Sequence, residues 1–137
     1  LPGWRGVLLG LRGGRGRRQR VSELPQVAYK VLTAEQMAAL ETDGVFAGAP
    51  IDLADGYIHL SSAEQLDATV EKYFAGQDYL HIAAVDLSVL GNAVRWEEAR
   101  GGALFPHIYA ALPLNAVLAY GPLEHDEAGR IRPPVAG

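Results

Sequence analysis

The chain has 137 residues, 49% hydrophobic and 20% charged, which is enough for a single domain with its own core. It contains no cysteine, which excludes disulfides and thiolate metal sites and fits a reducing, cytoplasmic compartment. The formal net charge of −4 divides into +5 over residues 1–28 and −9 over the rest, and an acidic body has too few cations to track a phosphate backbone, so nucleic acid is excluded as a partner of the folded part.

Residues 1–27 read as a disordered Arg/Gly-rich extension. Arg5, Arg12, Arg15, Arg17, Arg18 and Arg20 stand against the single acid Glu23, and such a segment buries too little apolar surface to offset its ordering entropy. Its apolar run, Val7-Leu8-Leu9-Gly10-Leu11, falls far short of the ~20 residues a membrane-spanning helix needs. A signal peptide places its charge before the apolar run, whereas most arginines here follow it. No membrane is therefore expected. Rival readings make the segment a basic arm for nucleic acid or an anionic membrane, or a non-native upstream extension, since no Met precedes Met37.

A single α+β domain is expected over residues 28–123. Residues 27–32 alternate and are rich in strand formers. Thr33 then opens a helix, with Gln36 completing a capping box, Met37 and Leu40 forming its apolar face, and Gly44 ending it. Residues 45–56 hold Gly48, Pro50, Asp52, Asp55 and Gly56 and read as a loop, packed down by Val45, Phe46, Ile51 and Leu53. Tyr57-Ile58-His59-Leu60 is a short strand, and Ser61 or Ser62 caps a second helix. In that helix Leu66, Val70, Tyr73 and Phe74 form a buried stripe. Residues 79–86 make the most apolar strand, expected at the centre of the sheet. Val94-Arg95-Trp96-Glu97 is a further strand, Gly101-Gly102 a turn, and Phe105-Pro106-His107-Ile108-Tyr109 continues in extended form. A turn over residues 112–115 leads to a last strand over 116–123, and residues 124–137 are expected to fray. The order β-α-β-α followed by strands alone predicts two helices beside a bent, mostly antiparallel, split sheet.

Strand alternation groups the chemistry. His59 shares a face with Tyr57 and Ser61, Arg95 with Glu97, and His107 with Tyr109, each set opposite apolar neighbours. His59 stands just before a helix start, where exposed amides favour anions. Three segments offering His, Glu, Arg, Tyr and Ser define one candidate site. The ordinary alternatives are a half-buried histidine and a solvated Arg/Glu face. Of the four histidines, His81 lies in the apolar strand and His125 in the tail, and no pair has a zinc-like spacing, so no metal is expected. No Gly-x-Ser-x-Gly elbow, phosphate-loop lysine or Gly-x-Gly-x-x-Gly fingerprint is present.

Four segments in order, Tyr29-Lys30-Val31-Leu32-Thr33, Asp55-Gly56-Tyr57-Ile58-His59-Leu60-Ser61, Val94-Arg95-Trp96-Glu97 and Leu104-Phe105-Pro106-His107-Ile108-Tyr109, resemble the bacterial domain of unknown function 952 family over about residues 29–123. The resemblance implies an ADP-ribosyltransferase-like fold that binds a dinucleotide between two small sheets. The unit over residues 29–61 is also similar to the catalytic lobe of RNA 2'-phosphotransferases, with His59 and Ser61 at that family's His and Ser. Lys30 stands where that family has its first His, and no arginine stands shortly before His59 to hold phosphate as that reaction requires. The resemblance implies NAD as cofactor, held by Tyr29, Lys30, Thr33, Ser61, Arg95 and Tyr109, with His59, Glu97 and His107 catalytic. Glu97 would stabilise a cationic ribose, Arg95 and His107 would hold pyrophosphate or ribose oxygens, and Tyr109 would stack on a base. Two alternatives stand beside this: a non-catalytic nucleotide- or protein-binding module on the same fold, and a small acid–base enzyme using His59 and Glu97.

Overall fold

The computed structural model describes residues 24–134, the Arg100 side chain excepted. The disorder expected for residues 1–27 thus falls largely outside the described residues. At its end the expectation fails: Leu24 is buried, and the Gln26 carbonyl accepts a hydrogen bond from the Leu87 amide at 2.9 Å.

In chain order the elements are β1 (Val27–Leu32), α1 (Ala34–Asp43), β2 (Val45–Phe46), α2 (Pro50–Asp55), β3 (Ile58–His59), α3 (Leu66–Tyr73) and β4 (His81–Asp86). Strands β5 (Val94–Glu98), β6 (Leu104–Ile108), β7 (Leu112–Pro113), β8 (Val117–Pro122), β9 (Glu124–His125) and β10 (Ile131–Arg132) follow with no further α-helix between them. They form two three-stranded antiparallel sheets, β1-β4-β8 and β3-β6-β5, and two ribbons, β2-β7 and β9-β10. The α+β class and antiparallel pairing match the sequence reading. Among the described residues no helix is long and apolar enough to cross a membrane.

The apolar character of β4 follows from its position. It is central, and both faces are covered, so period-two alternation would leave a polar residue buried. Ala83 and Val85 face the main core with Ala28, Leu32, Met37, Leu40, Ile58 and Ile108. Ile82 faces a second core with Val31, Leu66, Leu80 and Ile131. Helix α1 forms as expected: Thr33 Oγ1 accepts from the Gln36 amide at 3.1 Å, Gln36 Oε1 from the Thr33 amide at 3.0 Å, and Gly44 ends it in the left-handed region.

Three expectations are corrected. Residues 45–56 are not a loop, because they contain β2 and α2. Pro50 sits in the first turn of α2, where its fixed φ and missing N–H fit a helix start, and Gly56 closes the helix. The stripe on α3 is incomplete: Leu66 is fully buried, but Tyr73 is 44% exposed. Finally, the tail does not fray through residue 134. Its two strands pair around a turn in which Asp126 Oδ1 accepts from the Ala128 and Arg130 amides, and the Ile131 amide donates to Asp67 Oδ1 at 3.0 Å.

Candidate functional site

The sheet β3-β6-β5 assembles the site by register. His59 pairs with His107, and His107 pairs in turn with Arg95, so one rung carries two imidazoles and a guanidinium. Ile58 and Ile108 point the other way into the main core, which locks the alternation that turns the polar side chains outward. Glu97 and Tyr109 lie one pleat away on opposite sides of this rung. Tyr57, immediately before β3, covers the cluster with its ring.

Contacts within the cluster are close. His107 Nδ1 lies 2.6 Å from Glu97 Oε1, and the Tyr109 hydroxyl donates to both Glu97 oxygens at 2.9 and 3.1 Å. The two imidazole centroids are 5.4 Å apart, edge to face. Tyr57 stacks on His107 at 4.1 Å and tilts against His59 at 4.8 Å and Tyr109 at 5.1 Å. The Arg95 guanidinium lies 4.4 Å above the Tyr109 ring, and no carboxylate among the described residues lies within ion-pair distance of it.

Beneath the cluster sits a buried ion pair that the sequence reading missed. Asp52, 1% exposed, receives Lys30 Nζ at 2.9 Å on Oδ2 and 3.2 Å on Oδ1. It also accepts from the Ala49 and His59 amides at 2.8 and 3.1 Å, and its Oδ1 lies 2.6 Å from His59 Nδ1. On the outer side His59 Nε2 lies 2.9 Å from Asp55 Oδ2. Lys30 Nζ also donates to the His59 carbonyl at 3.0 Å.

Burial and partners set the proton affinities. Burial pushes the Asp52 carboxyl up, but the His59 hydrogen bond, the Lys30 charge and the Ala49 amide outweigh it and hold the group at about 2. Burial lowers the Lys30 ammonium despite its partner Asp52. Burial also lowers the His107 ring, against the opposing pull of Glu97. Tyr109 is pushed up to about 12 by burial and by donating to Glu97, so it stays protonated.

A shallow hollow of about 260 Å³ adjoins the cluster, walled by Ala47, Asp52, Leu53, Tyr57, Ile108 and Tyr109 among others. Polar and apolar surface contribute to its lining in similar measure, and of the ionisable cluster only Asp52, Tyr57 and Tyr109 line it, with His59, Arg95, Glu97 and His107 outside. Among the described residues no three His, Asp or Glu side chains gather in a group able to hold a metal ion.

A family model described as a protein of unknown function, DUF952, matches residues 31–120, well over half the chain. The chain belongs to this family. The DUF952 match spans the rung and the Asp52 beneath it, and begins one residue after Lys30. The crystal structure of protein CC0527 from Caulobacter crescentus is similar, with 40% identity and a TM-score of 0.70 over 77% of this chain and 93% of that one. The solution NMR structure of CC0527 is similar too, with 40% identity and a TM-score of 0.66, covering 77% and 91% of the two chains. No curated protein matches.

Of the nine residues singled out by sequence in this DUF952 chain, His59, Arg95, Glu97, His107 and Tyr109 converge on the rung. Lys30 lies just below, reaching it through Asp52 and the His59 carbonyl. The other three are turned to different work. Thr33 caps α1, Ser61 Oγ bonds Thr69 Oγ1 at 2.8 Å, and Tyr29 packs against the second core, on the face of β1 opposite Lys30. Asp52, Asp55 and Tyr57 were absent from the site reading. Pro50 followed two residues later by an acid was the available signal for Asp52, since that spacing marks a helix start as well as a loop.

Proposed function

We propose that the rung is the ligand site of a cytoplasmic, ADP-ribosyltransferase-like protein that binds NAD or ADP-ribose. The observation that carries this reading is His107 Nε2. The side chain is only 5% exposed, yet that nitrogen has no hydrogen-bond partner among the described residues. An unsatisfied buried polar atom costs roughly 1–3 kcal/mol, so a ligand that supplies its partner is favoured by that amount. Arg95 supports the same reading, as an exposed cation that meets only an aromatic face and is open to phosphate. The hollow, at about 260 Å³, is below the roughly 300–1,000 Å³ of drug-sized pockets, so it suits one ring-sized part of a dinucleotide while the phosphates lie along the open rung.

In this reading Tyr57 and Tyr109 flank the ring, Arg95 and His107 hold oxygens, and Glu97 faces the positive charge that grows on ribose as the glycosidic bond breaks. Calorimetric titration with NAD and ADP-ribose tests it, and no heat at millimolar ligand would end it. Nicotinamide release separates catalyst from module. A transferase loses at least tenfold of that release in Glu97→Gln, whereas a binding module shows none in either form.

A second reading is favoured by one specific feature. Two histidines, each with a carboxylate on Nδ1, face each other at 5.4 Å, which is a pairing suited to proton transfer on a small anionic substrate. Its mark is a bell-shaped pH–rate profile with no NAD requirement.

A further inference from the structure

We infer that Lys30 and Asp52 are a positioning pair that decides which nitrogen of His59 exchanges protons with the ligand, leaving Nε2 as the working atom. The inference rests on the proposed site only in taking His59 as a working residue; it does not depend on the ligand being NAD.

Four hydrogen bonds converge on the one Asp52 carboxylate, from Lys30 Nζ, the Ala49 and His59 amides and His59 Nδ1, and the Lys30 charge also lies 2.9 Å from Oδ2. Lys30 Nζ donates to Asp52 Oδ1 and to the His59 carbonyl, and its charge lies 2.9 Å from Asp52 Oδ2. The pair thereby grips His59 at its amide, its carbonyl and its ring together. Neither partner can drift without breaking a contact to His59 or to the start of α2.

A carboxylate held in this way is an acceptor only, so the ring atom 2.6 Å away must be the one that carries hydrogen. Proton exchange is then left to Nε2, on a side chain that is 30% exposed, where Asp55 Oδ2, itself 45% exposed, stands 2.9 Å away. Titratable groups facing the ring are Asp52, Asp55, Tyr57 and His107, with Lys30 behind Asp52. Tyr57 and His107 meet the ring through their faces or edges and offer no hydrogen bond to Nδ1, so among the described residues no other group competes with Asp52 for that atom. A purely structural ion pair would hold α2 down and leave the proton of His59 indifferent. The geometry instead ties the ring nitrogen to the buried charge.

The test is long-range proton–nitrogen NMR of the His59 ring, followed through its titration in the full chain. In the wild type the proton lost on raising pH is that on Nε2, while Nδ1 keeps its own. In Asp52→Asn, whose amide can turn its NH₂ toward the ring, the deprotonated ring changes to the Nε2–H form or to a mixture. If the wild-type ring loses the Nδ1 proton, the inference is overturned without any variant, so a failure of Asp52→Asn to fold does not shield it. It is equally overturned if the folded variant keeps the wild-type pattern. Because the spectra are taken without ligand, a negative NAD titration leaves this result standing, and a wrong tautomer leaves the NAD titration standing.

Discussion

Asp52 shows how one side chain can be out of proportion to its length. Removing it in Asp52→Ala leaves the Lys30 ammonium buried without its counter-charge, and loss of one partner of a buried pair costs about 3–5 kcal/mol. Urea unfolding should show a loss of that size. Replacing both partners, Lys30→Met with Asp52→Leu, should recover part of it but not all, because the Ala49 and His59 amides lose their acceptor as well. If the double variant is no better than the single one, the charge on Lys30 is not what makes Asp52 costly to remove. The polar members of the rung were legible because alternation is local: Arg95 with Glu97 and His107 with Tyr109 need only a strand period of two. Asp52 was not, since its importance lies in contacts to Lys30, 22 residues away, and to His59, and no period within one element reports them.

At the scale of elements, α1 and α2 make a useful contrast. Helix α1 carries its caps, its apolar pair and its stop in one short window, so it could be read from sequence. Helix α2 is only six residues long, begins with Pro50 and is flanked by Gly48 and Gly56, which are also the marks of a loop. Its hold on the body comes from Asp52, a tertiary contact. Two glycines test this difference. Gly44 adopts φ 74° with open space around its missing side chain, so Gly44→Ala should cost roughly 1 kcal/mol from backbone strain alone. Gly48 adopts φ 132°, and a Cβ there would meet the Asp52 Cβ at 3.0 Å. Gly48→Ala should therefore cost more than Gly44→Ala, roughly 2–3 kcal/mol, and also disturb the His59 ring signals, which Gly44→Ala leaves alone. Equal losses in urea unfolding, with His59 unmoved in both, would show that α2 is not held against the site through Asp52.

For the molecule as a whole, the two cores on either side of β1-β4-β8 account for much of the stability, while a few ionisable groups give it its pH dependence. Burial keeps His107 below its ordinary 6.5 in the folded chain, so an unfolded chain binds that proton more readily and stability falls as pH drops below about 6.5. Asp52 adds a second, lower step. Its carboxyl titrates at about 2 when folded against 3.8 ordinarily, so the stability it contributes is complete above 3.8 and is lost as pH falls from there through 2. That difference corresponds to about 2 kcal/mol. On the alkaline side Lys30 opposes a set of tyrosines whose hydroxyls are raised, Tyr29, Tyr57, Tyr109 and Tyr120. The lowered Lys30 makes stability rise as pH climbs toward 10.5, because the unfolded chain there holds more of that proton. Tyr109, pushed up to about 12, makes stability fall above pH 10, because the folded chain keeps a proton that the unfolded one releases. Urea midpoints measured across pH should therefore decline in two acid stages. Asp52→Asn should lower the plateau and remove the stage below pH 3.8, and Tyr109→Phe should reduce the loss above pH 10 while leaving both acid stages in place. A lower acid stage that survives Asp52→Asn would mean that some other carboxylate, not the one beneath His59, carries the acid sensitivity of this fold.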